Sequence, residues 1–309
     1  MRIVFMGTPD YALRTLRALV ESGQEVVGVF CQPDKPVGRK QILTAPPVKQ
    51  YALEQNLPVF QPRRLKDESV LAELKTLRPD VIVVVAYGKI LPKAVLDLPK
   101  YGCINGHGSL LPAYRGAAPI QWAVINGEKQ TGVTTMQMDA GVDTGDILLQ
   151  QATDIGATET AEQVFERLAD MTAELMLKTL RQLPEGTLRP QKQDESRATY
   201  APLIQKEMGK LDFSQPAEKL YHLVLGMYSW PCTYFYLDGK RVKVYRAEPG
   251  PDCSQPAGTV LPSDRLTVAC GNGQALVLCE IQPEGGKRMD SAEYLKGHPI
   301  REGSRVEEG

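Results

Sequence analysis

Several classes of protein are excluded by what this sequence lacks. No apolar run reaches the roughly 18 consecutive residues that indicate a membrane-spanning helix, and the apolar start at residues 1–6 is too short for the core of a signal peptide. Neither sign of charge is in excess, because 36 Lys and Arg face 37 Asp and Glu for a net charge of −1. This balance argues against a polybasic DNA-coating protein and an acidic disordered chain. We therefore expect a cytoplasmic protein.

Metal-binding and phosphate-binding patterns are missing as well. The six cysteines include no C-x-x-C pair, and most lie in apolar runs such as residues 268–270. This pattern predicts small buried side chains in a reducing compartment rather than a zinc site or a disulfide framework. The first predicted strand ends in Gly-Thr-Pro-Asp at residues 7–10, which lacks G-x-G-x-x-G, and no G-x-x-x-x-G-K-[ST] occurs. A binding site is expected elsewhere along the carboxyl ends of the strands.

The first half of the chain alternates between two hydrophobic periods. Short apolar runs at residues 2–6 and 25–31 flank a helical pattern at residues 11–22. The unbroken β-branched run at residues 80–86 is typical of a parallel strand that is covered on both faces. We predict an α/β fold with an open, Rossmann-like, mostly parallel sheet and helices on both faces.

The composition changes after residue 183. Residues 184–205 are polar and contain three prolines, which is typical of a linker. Short alternating strands follow, and the Asp238-Gly239 pair between two of them is a strong hairpin signal. We predict an N-terminal domain at residues 1–183, a linker at 184–205, and a small OB-like β-barrel at 206–309.

The densest group of polar residues is Asn-Gly-His-Gly-Ser-Leu-Leu-Pro at residues 105–112. Asn105 and His107 are two apart, so their side chains face the same side of an extended segment. An amide and an imidazole in this position can donate to a developing oxyanion, and the imidazole can move a proton. The alternative is a turn in which both side chains bond only local backbone.

A second polar run at residues 138–146 carries three aspartates between glycines. The spacing does not fit a calcium-binding loop. A carboxylate from this loop could orient His107, as in other His–Asp pairs. The alternative is a set of solvated turn acids.

These motifs together resemble one known family. Residues 105–116, continued by 117–121, are similar to the signature of formyltetrahydrofolate-dependent formyltransferases, and residues 141–145 are similar to its second half. Further similarities lie at residues 5–10, at residues 85–92 and around Trp230-Pro231. The resemblance extends along nearly the whole chain and is greatest to the branch that formylates methionyl initiator tRNA.

The resemblance implies a donor, 10-formyltetrahydrofolate, and an acceptor, the amino group of methionyl initiator tRNA. It implies a catalytic trio of Asn105, His107 and Asp143. The first two would stabilise the oxyanion, and Asp143 would hold the imidazole and assist proton transfer through a water. No metal is implied, because the donor is already an activated amide. No zipper pattern is present, and a monomer is expected.

The resemblance also implies two sets of binding residues. The folate-binding set is Ser109, Leu110, Leu111, Pro112, Ala86, Tyr87, Gly88, Ile90 and Leu91. The tRNA-binding set is Lys35, Arg39 and Lys40 in one loop, with Lys240, Arg241, Lys243 and Arg246 in a basic run of the C-terminal domain. For this basic run, the alternative to phosphate contact is a solvated strand face.

Three positions depart from the family pattern. Gly106 replaces a branched aliphatic residue, which predicts a strand end that is looser by about 0.5–1 kcal/mol. The loop after Lys40 is less basic than is usual, and Ser229 replaces a proline.

Two other functions remain open: a formyltransferase for a small amine such as a purine precursor or an amino sugar, and a non-catalytic RNA- or folate-binding protein. The C-terminal β-domain and the basic loop at 35–40 argue against the first, and the intact trio argues against the second.

Overall fold

The structure is a computed structural model that describes residues 1–38, 40–300 and 303–306. These residues divide into two compact units. The first unit is made of Met1–Pro119, Gln130–Asp154 and Phe165–Ala201, and the second of Ile120–Lys129, Ile155–Val164 and Pro202–Gly309. The domain boundaries drawn from composition stay a prediction.

Strands and helices alternate along the first unit, as the hydrophobic periods predict. Its strands are β1 (Arg2–Gly7), β2 (Glu25–Phe30), β3 (Lys35–Val37), β4 (Ile42–Thr44), β5 (Val59–Phe60), β6 (Val81–Val85), β7 (Cys103–His107), β8 (Arg115–Gly116), β9 (Gln130–Gln137), β10 (Ile147–Asp154) and β11 (Tyr200–Ala201). Its helices are α1 (Asp10–Glu21), α2 (Pro47–Glu54), α3 (Glu68–Leu77), α4 (Lys93–Leu96) and, with residues in both units, α5 (Pro119–Ile125) and α6 (Ala161–Glu185). A short 3-10 helix spans Glu195–Arg197.

The central sheet of the first unit has the strand order β10-β9-β7-β6-β1-β2-β5. Strands β7, β6, β1, β2 and β5 are parallel, whereas β9 pairs antiparallel with β7, and β10 pairs antiparallel with β9 at the edge of the sheet. All five residues of β6 are buried, which confirms the prediction from its β-branched run. Along the chain, β2 and β5 are added beside β1 on one side of the sheet, and β7, β9 and β10 are added beside β6 on the other. The order therefore reverses between β1 and β6, and ligands of open α/β sheets bind at such a position.

The second unit contains an antiparallel sheet. Its elements are α7 (Ala217–Gly226), β12 (Thr233–Leu237), β13 (Lys240–Asp252), β14 (Val260–Leu261), β15 (Thr267–Ala269), β16 (Gln274–Pro283), β17 (Met289–Asp290) and α8 (Ser291–Gly297), with a 3-10 helix at Lys206–Gly209. The sheet order is β12-β13-β16-β15-β14, and β17 pairs with β16. The pairing of β13 with β16 shifts register at three points, and such irregularities bend a strand and increase its twist. The result is a curled half-barrel, which confirms the predicted fold class.

The hairpin between β12 and β13 follows from its two turn residues. Asp238 and Gly239 have φ angles of 49° and 69°, as the common two-residue hairpin turn requires. Leu237 therefore pairs with Lys240, which confirms the predicted turn. Within the described part of the chain, each helix is too short or too polar to cross a membrane.

Candidate active site

Strand β7 carries the first two residues of the predicted trio. It lies beside β6 in parallel, with Val84 paired to Asn105, so both strands end at the same edge of the sheet. Asn105 is half-buried, and His107 is 6% exposed. A Cβ atom on Gly106 would point the other way and lie 2.6 Å from Cγ2 of Thr172 on α6. The alternation along the strand thus places Asn105 and His107 on one side, as predicted.

The carboxylate of Asp143 joins these two side chains. Asn105 Nδ2 donates to Asp143 Oδ1 over 3.5 Å, and His107 Nδ1 lies 3.7 Å from Asp143 Oδ2. The backbone N–H of Gly116 donates to Oδ2 over 2.8 Å. The Asp143 side chain is 13% exposed. The structure therefore brings an amide and an imidazole from β7 together with a carboxylate from the loop between β9 and β10.

Both ring nitrogens of His107 face oxygen atoms. Nε2 lies 2.9 Å from the carbonyl oxygen of Tyr114. Because a carbonyl oxygen only accepts, Nε2 is the donor of this bond. Nδ1 faces the Asp143 carboxylate, and an imidazolium is the ring form that presents an N–H to both oxygens. The ring is thus held between the carbonyl of Tyr114 and the carboxylate of Asp143.

The loop that holds Asp143 is closed by another of the predicted acids. Asp139 Oδ1 accepts from the N–H of Gly141 over 3.0 Å and from the hydroxyl of Thr144 over 2.6 Å. At Gly145, a Cβ atom would lie 1.7 Å from the carbonyl oxygen of Gln137, so only glycine fits this position. Asp139 therefore shapes the turn.

The loop at residues 109–112 is fixed from within. The Ser109 hydroxyl donates to the carbonyl of Ala113 over 2.6 Å, and the Leu111 N–H donates to Oγ1 of Thr134 over 3.2 Å. Ser109 and Leu111 are 1% and 3% exposed, whereas Leu110 and Pro112 are half-buried. Two of the four predicted folate-binding side chains thus lie inside the protein.

The turn after β6 also contains both buried and exposed members of the predicted folate-binding set. Ala86, Gly88 and Ile90 are exposed, Ile90 by 81%, whereas Tyr87 and Leu91 are buried. Burial raises the pKa of the Tyr87 hydroxyl, which has no hydrogen-bond partner among the described residues. Two side chains that the sequence analysis did not single out hold this turn. The Thr8 hydroxyl and the Gln32 amide donate to the Tyr87 carbonyl over 3.3 Å and 3.1 Å.

The predicted tRNA-binding residues are distributed over both units. Lys35 and Lys40 are exposed on the hairpin of β3 and β4, and Arg39 lies outside the described residues. On β13, Lys240, Arg241 and Arg246 are exposed and Lys243 is half-buried. Lys243 pairs across the sheet with Tyr234, and the Arg241 guanidinium lies 5.6 Å from the centre of the Tyr234 ring. Arg246 forms an ion pair of 2.8 Å with Glu248. The basic run is thus interleaved with aromatic rings.

Comparison with known protein families identifies the family of this chain. A family model described as formyl transferase matches residues 1–180, and one described as formyl transferase, C-terminal domain, matches residues 203–299. The chain belongs to the formyl transferase family. Asn105, His107 and Asp143 all lie within the first matched range.

This formyl transferase has relatives that match over nearly their full length. A protein of Caldanaerobacter subterraneus subsp. tengcongensis named methionyl-tRNA formyltransferase is 50% identical over 98% of this chain and 99% of its own. A protein of the same name from Citrifermentans bemidjiense is 48% identical over 98% of this chain and 95% of its own. Identities of this size over nearly the full length of both chains indicate a common family and not only a common fold.

Solved structures of more distant proteins share the fold of this formyl transferase. An N-formyltransferase from Helicobacter canadensis, in complex with folinic acid and dTDP-3-aminofucose, has a TM-score of 0.66 at 16% identity, over 89% of this chain and 98% of that one. HypX from Aquifex aeolicus in complex with tetrahydrofolic acid has a TM-score of 0.64 at 19% identity. All of this chain but only 51% of HypX takes part in that match, so the chain spans about half the length of HypX. Among the described residues, no group of three or more His, Cys, Asp or Glu is placed to hold a metal ion.

Proposed function

We propose that this protein transfers the formyl group of 10-formyltetrahydrofolate to the amino group of methionyl initiator tRNA, which supplies formylated initiator for translation. The observation that carries the proposal is the convergence of Asn105 and His107 on the carboxylate of Asp143 at the edge of the sheet. Relatives named for this activity match over nearly the whole chain and support the choice of acceptor. A structural neighbour in complex with tetrahydrofolic acid supports the choice of donor.

The loops at this edge fit a flat, hydrogen-bonding donor. Ala86, Gly88 and Ile90 are exposed at the end of β6, next to the strand end that carries Asn105. Exposed backbone groups in such a turn can bond the polar edge of a pterin ring, and apolar side chains can cover its faces. When bound, the donor supplies the formyl group as an activated amide.

The remaining predicted folate-binding residues then divide into two roles. We assign apolar contact with the donor to the half-buried Leu110 and Pro112. The four buried residues Ser109, Leu111, Tyr87 and Leu91 hold the two loops in shape. This division follows from their burial and from the bonds that Ser109 and Leu111 make inside the protein.

Each member of the trio has a distinct role in the proposed reaction. Asn105 donates an N–H to the formyl oxygen, where negative charge develops. The Asp143 carboxylate accepts from Asn105 through Oδ1 and from the N–H of Gly116 through Oδ2, and its remaining lone pairs accept a proton from the attacking amine, directly or through a water. The His107 ring lies against this carboxylate, and it stabilises the negative charge that develops on the formyl oxygen. Holding the amine close to the formyl carbon supplies much of the remaining rate enhancement.

Binding of the tRNA is assigned to basic residues of both units. Exposed cations neutralise phosphates without reading the sequence, and the residues assigned here are Lys35, Arg39, Lys40, Lys240, Arg241, Lys243 and Arg246. The Tyr234 ring beside Arg241 adds a surface on which an unpaired base can stack. We accordingly propose residues 1–183 as the catalytic domain, 184–205 as a linker and 206–309 as the tRNA-binding domain. We further propose that the protein acts as a monomer in the cytoplasm, where translation takes place.

The test is transfer of labelled formyl from 10-formyltetrahydrofolate to charged methionyl initiator tRNA. Uncharged tRNA and a free amino sugar serve as parallel acceptors. Transfer that requires the charged tRNA supports the proposal. Transfer to the amino sugar alone would overturn the choice of acceptor, and no transfer to any amine would overturn the enzyme assignment.

A further inference from the structure

We propose that Gln193 is a positioning residue for Asp143, and that Arg115 and Glu195 fix its orientation. This inference deepens the proposed function and rests on it. Gln193 belongs to the polar stretch at 184–205, where no motif indicates a role in the site. Its side chain instead contacts the turn that carries Asp143.

The segment at residues 191–201 lies along the loops of the active site. Gln191 and Ile147 exchange two backbone hydrogen bonds of 2.8 Å and 2.9 Å. Thr199 accepts from the N–H of Tyr114 through its hydroxyl over 2.8 Å and from the N–H of Arg115 through its carbonyl over 2.8 Å. Strand β11 then pairs in parallel with β8. The segment is therefore anchored on both sides of Gln193.

The Gln193 amide spans the turn that presents Asp143. Nε2 donates to the carbonyl of Asp143 over 2.8 Å and to the carbonyl of Gly145 over 2.7 Å. Asp143 has a φ of 55°, a left-handed conformation that is uncommon outside glycine and needs support from its surroundings. The two bonds fasten the backbone on both sides of Thr144. The Asp143 side chain is attached to this stretch of backbone, so the two bonds also fix the position of its carboxylate.

Arg115 determines which way the Gln193 amide points. Its Nε and Nη2 donate to Gln193 Oε1 over 3.0 Å and 2.9 Å. A guanidinium has only donors, so the atom that faces it must be Oε1, and the NH2 group must face the turn. The arginine is fully buried, and its two terminal nitrogens donate to the two carboxylate oxygens of Glu195 over 2.9 Å and 2.8 Å. Its hydrogen bonds lower the pKa of Glu195, so that carboxylate stays charged and holds the guanidinium.

The neighbours of Arg115 link this network to the trio. The carbonyl of Tyr114 accepts from His107, and the N–H of Gly116 donates to the Asp143 carboxylate. Three successive residues thus fix the imidazole, the amide of Gln193 and the carboxylate. Loss of the two Gln193 donors would leave two carbonyls unsatisfied and let the Asp143 turn relax.

The experiment compares Gln193→Met with Gln191→Met. The first removes both donors without adding charge. The second makes the same change two residues away, where the side chain is exposed and Gln191 is held through its backbone. We expect kcat for formyl transfer to fall about 10- to 100-fold in Gln193→Met, with both KM values within about twofold of wild type, since small displacements of reacting groups have effects of this size. Gln191→Met should match wild type.

A second measurement separates positioning from general damage and from failure of the proposed function. The ring nitrogens of His107 are followed by 15N NMR through a pH titration, which needs no acceptor. We expect the His107 titration to change in Gln193→Met and to match wild type in Gln191→Met. Gln193→Glu, which keeps the oxygen that faces Arg115 but loses both donors, provides a second variant if Gln193→Met does not fold.

The outcomes are distinguishable. If wild type formylates no tRNA but the His107 titration still depends on Gln193, the proposed function fails and the positioning role stands. A folded Gln193 variant with wild-type kcat and an unchanged His107 titration would overturn the positioning role.

Discussion

Gly106 allows a direct test of how the end of β7 is packed. Replacing it by alanine adds a Cβ atom 2.6 Å from Cγ2 of Thr172 and 3.4 Å from Cγ2 of Val85. Carbon atoms prefer separations of about 3.5–4.0 Å, so the distance from the new Cβ to Cγ2 of Thr172 must increase by roughly 1 Å. Thr172 cannot rotate away freely, because its hydroxyl is hydrogen-bonded to the Tyr11 hydroxyl over 2.7 Å inside the protein. Either β7 or α6 must therefore shift.

The magnitude follows from two opposing effects. Overpacking of a buried site costs about 1–3 kcal/mol, whereas removing a glycine from a strand returns about 0.5–1 kcal/mol of backbone entropy. We expect Gly106→Ala to lower the free energy of unfolding by about 1–2 kcal/mol. Thr172→Ser removes Cγ2 and keeps the bond to Tyr11, at a cost of about 1 kcal/mol alone. The double variant should return close to wild type, because the new Cβ occupies the vacated space. This gives a coupling energy of about 2–3 kcal/mol between the two sites.

Urea denaturation of the four proteins measures this coupling directly. Formyl transfer by the same proteins reports whether a shift of β7 also moves Asn105 and His107. Gly297→Ala is the matched control, because a Cβ there meets no atom within 4 Å and the change should be neutral or stabilising. A Gly106→Ala variant more stable than wild type, with no dependence on Thr172→Ser, would refute the packing argument. It would favour the simpler view in which the glycine only loosens the strand.

Three further changes test other parts of the molecule. His107→Ala should lower kcat at least about 100-fold at pH 7 with little loss of fold, in formyl-transfer and circular-dichroism measurements. Lys243→Gln should raise KM for tRNA, leave kcat unchanged, and reduce the slope of log KM against log salt by about 0.9 if one phosphate contact is lost. Arg288 lowers the pKa of Glu280 below 4.5, so their pairing stabilises the fold above that pH and is lost as pH falls through the lower value. Arg288→Met should therefore flatten the loss of stability that follows acidification below the ordinary pKa of glutamate, as measured by urea denaturation.

Each of these has its own contrary result. Turnover retained by His107→Ala would remove the histidine from the mechanism. An unchanged salt slope in Lys243→Gln would indicate a solvated strand face, and Lys178→Gln on α6 provides the comparison with a lysine outside the predicted tRNA-binding set. If Arg288→Met lost stability at low pH in the same way as wild type, the ion pair would contribute nothing measurable to stability. This is common for pairs this exposed.

The regular parts of the fold could be predicted because their signals are local. The run at residues 80–86 forms β6, the Asp238-Gly239 pair forms a hairpin, and the helical pattern at 11–22 appears as α1 from Asp10 to Glu21. In each case, hydrophobic period or turn chemistry within a few residues is enough to specify the element. The predicted pairing of Asn105 with His107 on one side of a strand succeeded for the same reason.

The supporting contacts of the site could not be predicted in this way. Gln193 bonds a turn that is 48 and 50 residues away in sequence, and Arg115 bonds Glu195 across 80 residues. A polar stretch with prolines gives no period from which such partners could be inferred. Thr172 likewise fills the space above Gly106 from a helix that the sequence shows only as amphipathic.

Backbone strain at the sheet edge explains why this site needs so many supporting bonds. Ala86, Tyr114 and Asp143 have φ angles of 44°, 60° and 55°, and each follows or faces the end of β6 or β7. A left-handed residue other than glycine costs on the order of 1–2 kcal/mol, so it persists only where other interactions hold it. Each has such support: Gln32 and Thr8 bind the carbonyl after Ala86, Thr199 binds the N–H of Tyr114, and Gln193 binds the carbonyl of Asp143. The three strained turns are the ones that present the proposed pterin-binding backbone, the His107 partner and the carboxylate. The residues that hold them should therefore affect turnover more than stability, because releasing a strained turn offsets part of the free energy lost with its hydrogen bond.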